Sequence, residues 1–148
     1  MGAYFEEFTE GEFIRHALSK TVTESDNNIF SLLTMNHHPI HLDTSYASEN
    51  QHGRILVVGT YVFSLVVGMT VSDISGLAIA NLGYEEVVHL APVFIGDTLR
   101  SRTEVLSKKE ASSKPDRGVM HVQTFGTNQN GVDVIRLRRS VLLKKRPA

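Results

Sequence analysis

Three of the seven histidines in this 148-residue chain lie within five positions of one another: His37, His38 and His41. They belong to a polar segment that begins with Asn36, ends with Asp43 and reads Asn-His-His-Pro-Ile-His-Leu-Asp. An imidazole titrates near neutral pH, so it can both take up and release a proton there. The segment therefore favours general acid–base chemistry on a small bound molecule. In this interpretation neutral His41 takes a proton from water and later returns one, while the amide of Asn36 positions that water.

A metal site or a nucleophile is less well supported in the same segment. Histidine is a common metal ligand, but neighbouring residues of an extended loop rarely point the same way, and the sequence has no HExxH motif. Nucleophilic catalysis lacks its residues too, since the chain has no cysteine and no Gly-x-Ser-x-Gly elbow. Histidines beside a proline also serve to complete turn hydrogen bonds or to face solvent, and that interpretation stays open. We predict no bound metal.

An uncharged, mostly apolar run follows at residues 55–71 and reads ILVVGTYVFSLVVGMTV. Its seventeen residues reach the lower edge of what a membrane-spanning helix needs. However, glycine, serine, threonine and tyrosine interrupt the run, and nothing beside it resembles a topology signal. A helix that is apolar nearly all round is also typical of one enclosed by a sheet. The sequence therefore predicts a buried central helix at about residues 56–74 and no membrane contact.

Gly59 lies where this helix is expected to begin. Without a Cβ atom it lets a substrate carbonyl come close to backbone N–H groups, and the helix dipole favours negative charge there. Such a helix start, with Val58 and Gly59 at its edge, would form an oxyanion hole for an enolate. Alternatively, Gly59 and Gly68 merely allow the helix to pack closely on a sheet.

The remaining pattern indicates an α+β domain in which one long antiparallel sheet surrounds the central helix. A cap at residues 23–26 starts a short helix at about 26–35, and Pro39 makes 36–43 a loop. Asp43 resembles the cap of a further helical turn. An Asn-Gly pair at 130–131 indicates a hairpin. Strands are predicted at 13–22, 77–90, 98–109, 119–128 and 132–144.

Composition sets the remaining limits. Length favours a single domain over residues 1–148, and a net charge of −1 does not indicate nucleic acid as a partner. The basic run from Arg136 to Arg146 alternates with apolar residues, which predicts a solvated strand face. The first twenty residues carry four glutamates and lack the pattern of a signal peptide, so a cytoplasmic protein is expected.

Several of these motifs together resemble the MaoC-like dehydratases, which include the (R)-specific enoyl-CoA hydratases. The similar motifs are residues 36–43, Tyr46-Ala47, His52-Gly53-Arg54, Gly59 and the Pro-Val-Phe-Ile-Gly-Asp-Thr-Leu turn at 92–99. The resemblance implies a hot-dog fold and a homodimer or dimer-based assembly. It also implies an acyl-CoA, or another acyl thioester, in a tunnel near the subunit interface. The implied reaction is the reversible addition of water to a 2-enoyl thioester, without a cofactor.

The chain departs from the family at one position. His41 falls on the family's histidine and Gly59 on its carbonyl-binding glycine, but Asn36 replaces the aspartate. An amide cannot take a proton from water, so His41 would be the base, with Asp43 as a conceivable helper if it is not a helix cap. The segment most resembles the mesaconyl-CoA hydratase and β-methylmalyl-CoA dehydratase subgroup. This favours a short branched or dicarboxylic acyl group, whose free carboxylate Arg54 could receive.

Two further functions compete with hydration. A hot-dog thioesterase would need a carboxylate facing the thioester carbonyl, and the predicted helix has no acidic residue before Asp73. A non-catalytic acyl-CoA-binding protein would follow if the exchange of aspartate for Asn36 had ended catalysis.

Overall fold

A five-stranded antiparallel sheet dominates the computed structural model, which describes residues 2–147. Its strands, in chain order, are β1 Phe13–Thr21, β2 Ala78–His89, β3 Thr98–Glu110, β4 Arg117–Thr127 and β5 Asp133–Lys144. In space they follow the order β1-β3-β4-β5-β2, so β2 lies at one edge. The predicted α+β architecture is confirmed, and the Asn-Gly hairpin joins β4 to β5, with a positive φ of 76° at Gly131.

Four α-helices accompany the sheet in the described chain: α1 Glu24–Leu33, α2 Pro39–Leu42, α3 Thr44–Ser48 and α4 Gly59–Met69. The predicted cap of α1 is present, because Thr23 and Asp26 exchange backbone-to-side-chain hydrogen bonds. The prediction of an uninterrupted loop at 36–43 is wrong, since it contains α2. Pro39 occupies the first position of α2, where its missing N–H costs nothing, and the His38 ring accepts the Ile40 N–H at 3.2 Å.

Helix α4 is shorter than the predicted 56–74. Residues before Gly59 are extended, because Leu56 forms a β-bridge to Phe94 and the Val57 N–H donates to the Val93 carbonyl at 2.9 Å. After Met69 the chain continues as a π-helical turn, Val71–Ser75. No helix of residues 2–147 has both the length and the apolar character needed to cross a bilayer.

The inner face of α4 supplies the core above the sheet. Val62, Val66 and Met69 are buried on it, and each such side chain removed from water is worth about 1.5–3 kcal/mol. The Val66 side chain packs directly on Gly126 of β4, where an added Cβ would lie 2.6 Å from Val66 Cγ2. The missing side chain at this glycine therefore makes room for α4 on the sheet.

The prediction of one solvated face for the basic run is wrong at Arg139. Successive strand residues face opposite sides of a sheet, so Arg138 and Arg139 cannot both face solvent. Arg139 is 2% exposed and donates to the Thr70 hydroxyl at 2.7 Å. Burial lowers the pKa of its guanidinium from the usual value. Arg139 thus ties β5 to the end of α4.

The turn at 92–97 holds the start of α4 in place. The Asp97 carboxylate accepts the Phe94 N–H at 2.8 Å and the Gln129 amide at 2.8 Å, which anchors the turn to the β4–β5 hairpin. The same turn pairs with residues 56–57, as described above. The turn therefore connects residues 56–57, just before α4, with the β4–β5 hairpin.

Candidate active site

The ring of His41 is oriented by a backbone carbonyl. Its Nδ1 lies 2.7 Å from the carbonyl oxygen of Leu56, fifteen residues further along the chain. A carbonyl can only accept a hydrogen bond, so Nδ1 carries the proton of the neutral ring. The lone pair is therefore on Nε2. His41 is held in the tautomer that a general base requires.

Asn36 lies on the turn that leads into α2. Its backbone N–H donates to the Ser31 carbonyl at 2.9 Å, and its side-chain oxygen accepts the His38 N–H at a long 3.4 Å. The His38 and His41 ring centroids are 6.1 Å apart. The turn thus gathers Asn36 and His41 around His38.

The three clustered histidines have different surroundings. His37 is exposed, the His38 Nδ1 accepts a helix N–H, and the His41 Nδ1 donates to a carbonyl. Among the described residues, no three histidine, aspartate or glutamate side chains form a group able to hold a metal ion.

Asn27 contributes to the site but was not predicted from the sequence. This residue of α1 is fully buried, and its amide donates to the His41 backbone carbonyl at 2.9 Å. Its side-chain oxygen accepts the Val58 N–H at 3.0 Å. The one available signal was the spacing of Asn27 and Ser31, four residues apart on one side of α1, and polar residues with this spacing are usually expected to face solvent.

A cleft of about 370 Å³ opens beside the first residue of α4. Its walls include Leu56, Val57, Gly59, Val62, His52 and His89. The imidazole of His89, at the end of β2, fills the space that a Cβ of Gly59 would need, at 2.9 Å from Cε1 and Nε2. His89 is the second contributor that was not predicted from the sequence. By contrast, nothing lies within 4 Å of a Cβ at Gly68, so close packing does not explain that glycine.

The other predicted site residues, Val58, Asp43 and Arg54, each have a contact of their own. The Val58 N–H is occupied by Asn27, so Val58 is not available as a second donor to a substrate oxygen. Asp43 accepts the Tyr46 N–H at 3.0 Å, which is the cap of α3. The Arg54 guanidinium lies 3.7 Å from the centroid of the Phe94 ring, a cation–π contact.

The cleft does not collect all of these residues. Among its described walls, Gly59 is present, whereas His41, Asn36, Arg54 and Asp43 are not. His41 is linked to the cleft through Leu56. The Leu56 carbonyl orients the His41 ring, and Leu56 also forms part of the cleft wall. His41 and the start of α4 are thus joined through residues 56–58.

Comparison with known proteins gives consistent matches. A family model described as the MaoC like domain matches residues 7–125. A mesaconyl-CoA hydratase of Cereibacter sphaeroides is 39% identical over 145 residues, which cover 98% of this chain and 42% of that protein. The chain therefore spans about two fifths of the length of this relative.

Solved structures agree with this result. A putative MaoC domain protein dehydratase from Chloroflexus aurantiacus superposes with a TM-score of 0.94 at 34% identity, over 99% of this chain and 41% of that one. A Mycobacterium tuberculosis protein with a double hot-dog fold has a TM-score of 0.91 at 21% identity, over 99% of this chain and 45% of that one. The predicted hot-dog fold is confirmed.

Proposed function

Because the chain belongs to the family of MaoC-like domains, we propose that it catalyses the reversible addition of water to a 2-enoyl thioester, as a hydro-lyase. The observation that carries the proposal is the 2.7 Å contact between the His41 Nδ1 and the Leu56 carbonyl. It leaves Nε2 as a base in a site whose family aspartate is replaced by Asn36.

In the proposed reaction His41 handles both protons. Nε2 takes a proton from a water molecule held by the Asn36 amide, and the water oxygen bonds to the β-carbon of the enoyl group. The electrons of the double bond move onto the thioester oxygen as an enolate. The imidazolium then returns its proton to the α-carbon, so that one water molecule is added. The Leu56 carbonyl stabilises the intermediate imidazolium through Nδ1–H.

The enolate oxygen is proposed to lie at the start of α4. The first N–H groups of a helix have no acceptor inside the helix, and the positive end of the dipole favours an anion. Since Asn27 already occupies the Val58 N–H, Gly59 is the donor that this site offers to the oxygen. The cleft beside Gly59 gives the thioester room to approach.

We propose a short branched or dicarboxylic enoyl-CoA, such as mesaconyl-CoA, as the substrate. The name of the Cereibacter relative supports this class. Arg54 is the proposed receiver of a free carboxylate, because its guanidinium stacks on Phe94 and Phe94 also contacts the cleft residue His52, with ring centroids 5.5 Å apart. A guanidinium fixed on an aromatic ring retains its donors for a carboxylate.

A second hot-dog domain is proposed to cover β2, most simply a second copy of this chain. As an edge strand, β2 presents unpaired backbone groups, which are a template for pairing. It also exposes apolar side chains: Ile79, Leu82, Tyr84, Val87 and Val88. The strand ends at His89 beside the cleft, so a partner on β2 would also border the substrate site. The proposed location is the cytoplasm, where CoA thioesters would be available.

The decisive experiment follows the absorbance of the conjugated enoyl-thioester during incubation with crotonyl-CoA and mesaconyl-CoA, alongside a free-thiol assay. Hydration removes the absorbance without releasing thiol, and His41→Ala should abolish it while the fold survives. Thiol release would instead identify a thioesterase. Binding of both thioesters with no change in either assay would identify a non-catalytic binding protein and would refute the proposal.

A further inference from the structure

We infer that Asn27 is a positioning residue that couples the catalytic base to the oxyanion-binding helix. The inference rests on the proposed function, because it concerns how two parts of that site are kept at a fixed distance from each other. The base is on α2 and the proposed oxyanion donor is at the start of α4. Both must act on the same enoyl thioester, so their separation has to be maintained.

One amide makes both connections. The Asn27 NH2 group donates to the backbone carbonyl of His41 at 2.9 Å, and the side-chain oxygen accepts the Val58 N–H at 3.0 Å. Val58 directly precedes Gly59, the residue proposed to bind the enolate. A single planar group therefore sets the distance from the backbone of the base to the first turn of α4.

The chemistry of the two partners dictates the residue type. One partner is a carbonyl that needs a donor, and the other is an N–H that needs an acceptor. Among short side chains, an uncharged amide provides both at fixed geometry. Asn27 is fully buried, so water does not readily replace either bond, and a lost bond would leave a buried polar group unsatisfied.

Helix α1 is built to present this amide. Its inward positions are Asn27 and Ser31, which are fully buried, whereas Ile29, Leu32 and Leu33 are more than half exposed. An amphipathic helix normally buries its apolar face, so burial of the asparagine is costly unless the amide is bonded. The two bonds offset that cost.

The contact also accounts for the orientation of the base. Asn27 holds the backbone of His41, and the Leu56 carbonyl holds its ring. Leu56 lies two residues before Val58, the other partner of Asn27. If the first bond breaks, the ring moves relative to Leu56 and the preference for the Nδ1–H tautomer is lost. A displacement of about 1 Å in a catalytic group can lower the rate about 100-fold.

The test is the substitution Asn27→Leu, which nearly keeps the size of the side chain. The leucine side chain can neither donate to the His41 carbonyl nor accept the Val58 N–H. The expected result is a fall of about 100-fold in kcat for enoyl-CoA hydration with a smaller change in KM. In the ¹⁵N NMR spectrum of the neutral His41 ring, the Nδ1–H tautomer of the wild type should give way to a mixture of tautomers.

Two matched controls separate this effect from general disturbance of α1. Asn28→Leu places the same side chain one residue further on, and Ser31→Ala alters the same buried face one turn later. Both should retain the wild-type kcat and tautomer. If Asn27→Leu does not fold, Asn27→Ser is used, because its short hydroxyl cannot bridge the two partners.

The outcomes are distinct. A folded Asn27 variant with the wild-type tautomer and kcat would overturn the inference, even if its unfolding temperature fell, because Asn27 would then be merely structural. If the wild-type protein hydrates no enoyl-CoA, the proposed function fails, and the tautomer of His41 in the variants still decides whether Asn27 positions the base.

Discussion

The substitution Gly59→Ala separates the two roles considered for this glycine, close packing and oxyanion binding. An added Cβ would lie 2.9 Å from Cε1 and Nε2 of His89. These atoms are the far end of an exposed side chain, so the ring can swing aside. The free energy of unfolding should therefore change by less than about 1 kcal/mol, within the range of surface substitutions and glycine replacements.

Catalysis should respond much more strongly. The new methyl group would stand in the cleft next to the Gly59 N–H, where the enolate oxygen is proposed to bind. Loss of one oxyanion-hole donor typically lowers kcat by about 10²–10³-fold, or about 2.7–4 kcal/mol. We therefore expect a stable Gly59→Ala protein whose kcat for crotonyl-CoA hydration falls by that factor.

The double variant Gly59→Ala, His89→Ala tests the cause. Removing the imidazole relieves any collision with His89 but leaves the methyl group in the cleft, so kcat should stay low. Urea unfolding of both variants provides the stability comparison. Recovery of activity in the double variant would show that the glycine serves only the packing of His89, and the oxyanion argument would fail.

Four further predictions concern regions outside the start of α4. Lys20 and the Thr23 N–H lower the pKa of Asp26 to about 2 from its unfolded value of 3.8, so Asp26 contributes stability above pH 4 that is lost as the pH falls towards 2. Asp26→Asn should lower the free energy of unfolding by about 1 kcal/mol at pH 7 and by little at pH 2. Urea titrations in which the substitution lowers that free energy equally at both pH values would contradict this. Gly126→Ala should lower the free energy of unfolding by about 1–3 kcal/mol because its Cβ meets Val66. Gly68→Ala, whose Cβ meets open space, should leave that free energy unchanged or raise it. Equal effects of the two substitutions in urea unfolding would refute the packing argument. Arg54→Gln should lower kcat/KM for mesaconyl-CoA more than for crotonyl-CoA, and an unchanged ratio would remove Arg54 as the carboxylate receiver. Val87→Lys on the exposed edge strand should shift a dimer towards monomer in sedimentation, and an unchanged mass would place the interface elsewhere.

Local pattern was sufficient to predict most of the fold. Alternating apolar residues marked the five strands to within a few positions, and the Asn-Gly pair marked the β4–β5 hairpin, because these signals act between near neighbours in the chain. The caps at Thr23 and Asp43 were likewise predicted, since each is a contact across three residues. His41 and Gly59 were proposed first from their residue types and positions and then from the family resemblance, neither of which carries the geometry of the site.

Contacts between distant residues required the tertiary structure. The Nδ1–H tautomer of His41 depends on a carbonyl fifteen residues away, and Asn27 reaches partners fourteen and thirty-one residues away. The inward turn of Arg139 depends on which side of β5 faces α4. The hydrogen bonds of His41 and Asn27 have no periodic signal, because a hydrogen bond between separate elements is set by how those elements pack. The sequence by itself determined the elements and the chemistry available on residues 36–43. Packing alone decided which nitrogen of His41 keeps its lone pair and that the Val58 N–H is already bonded.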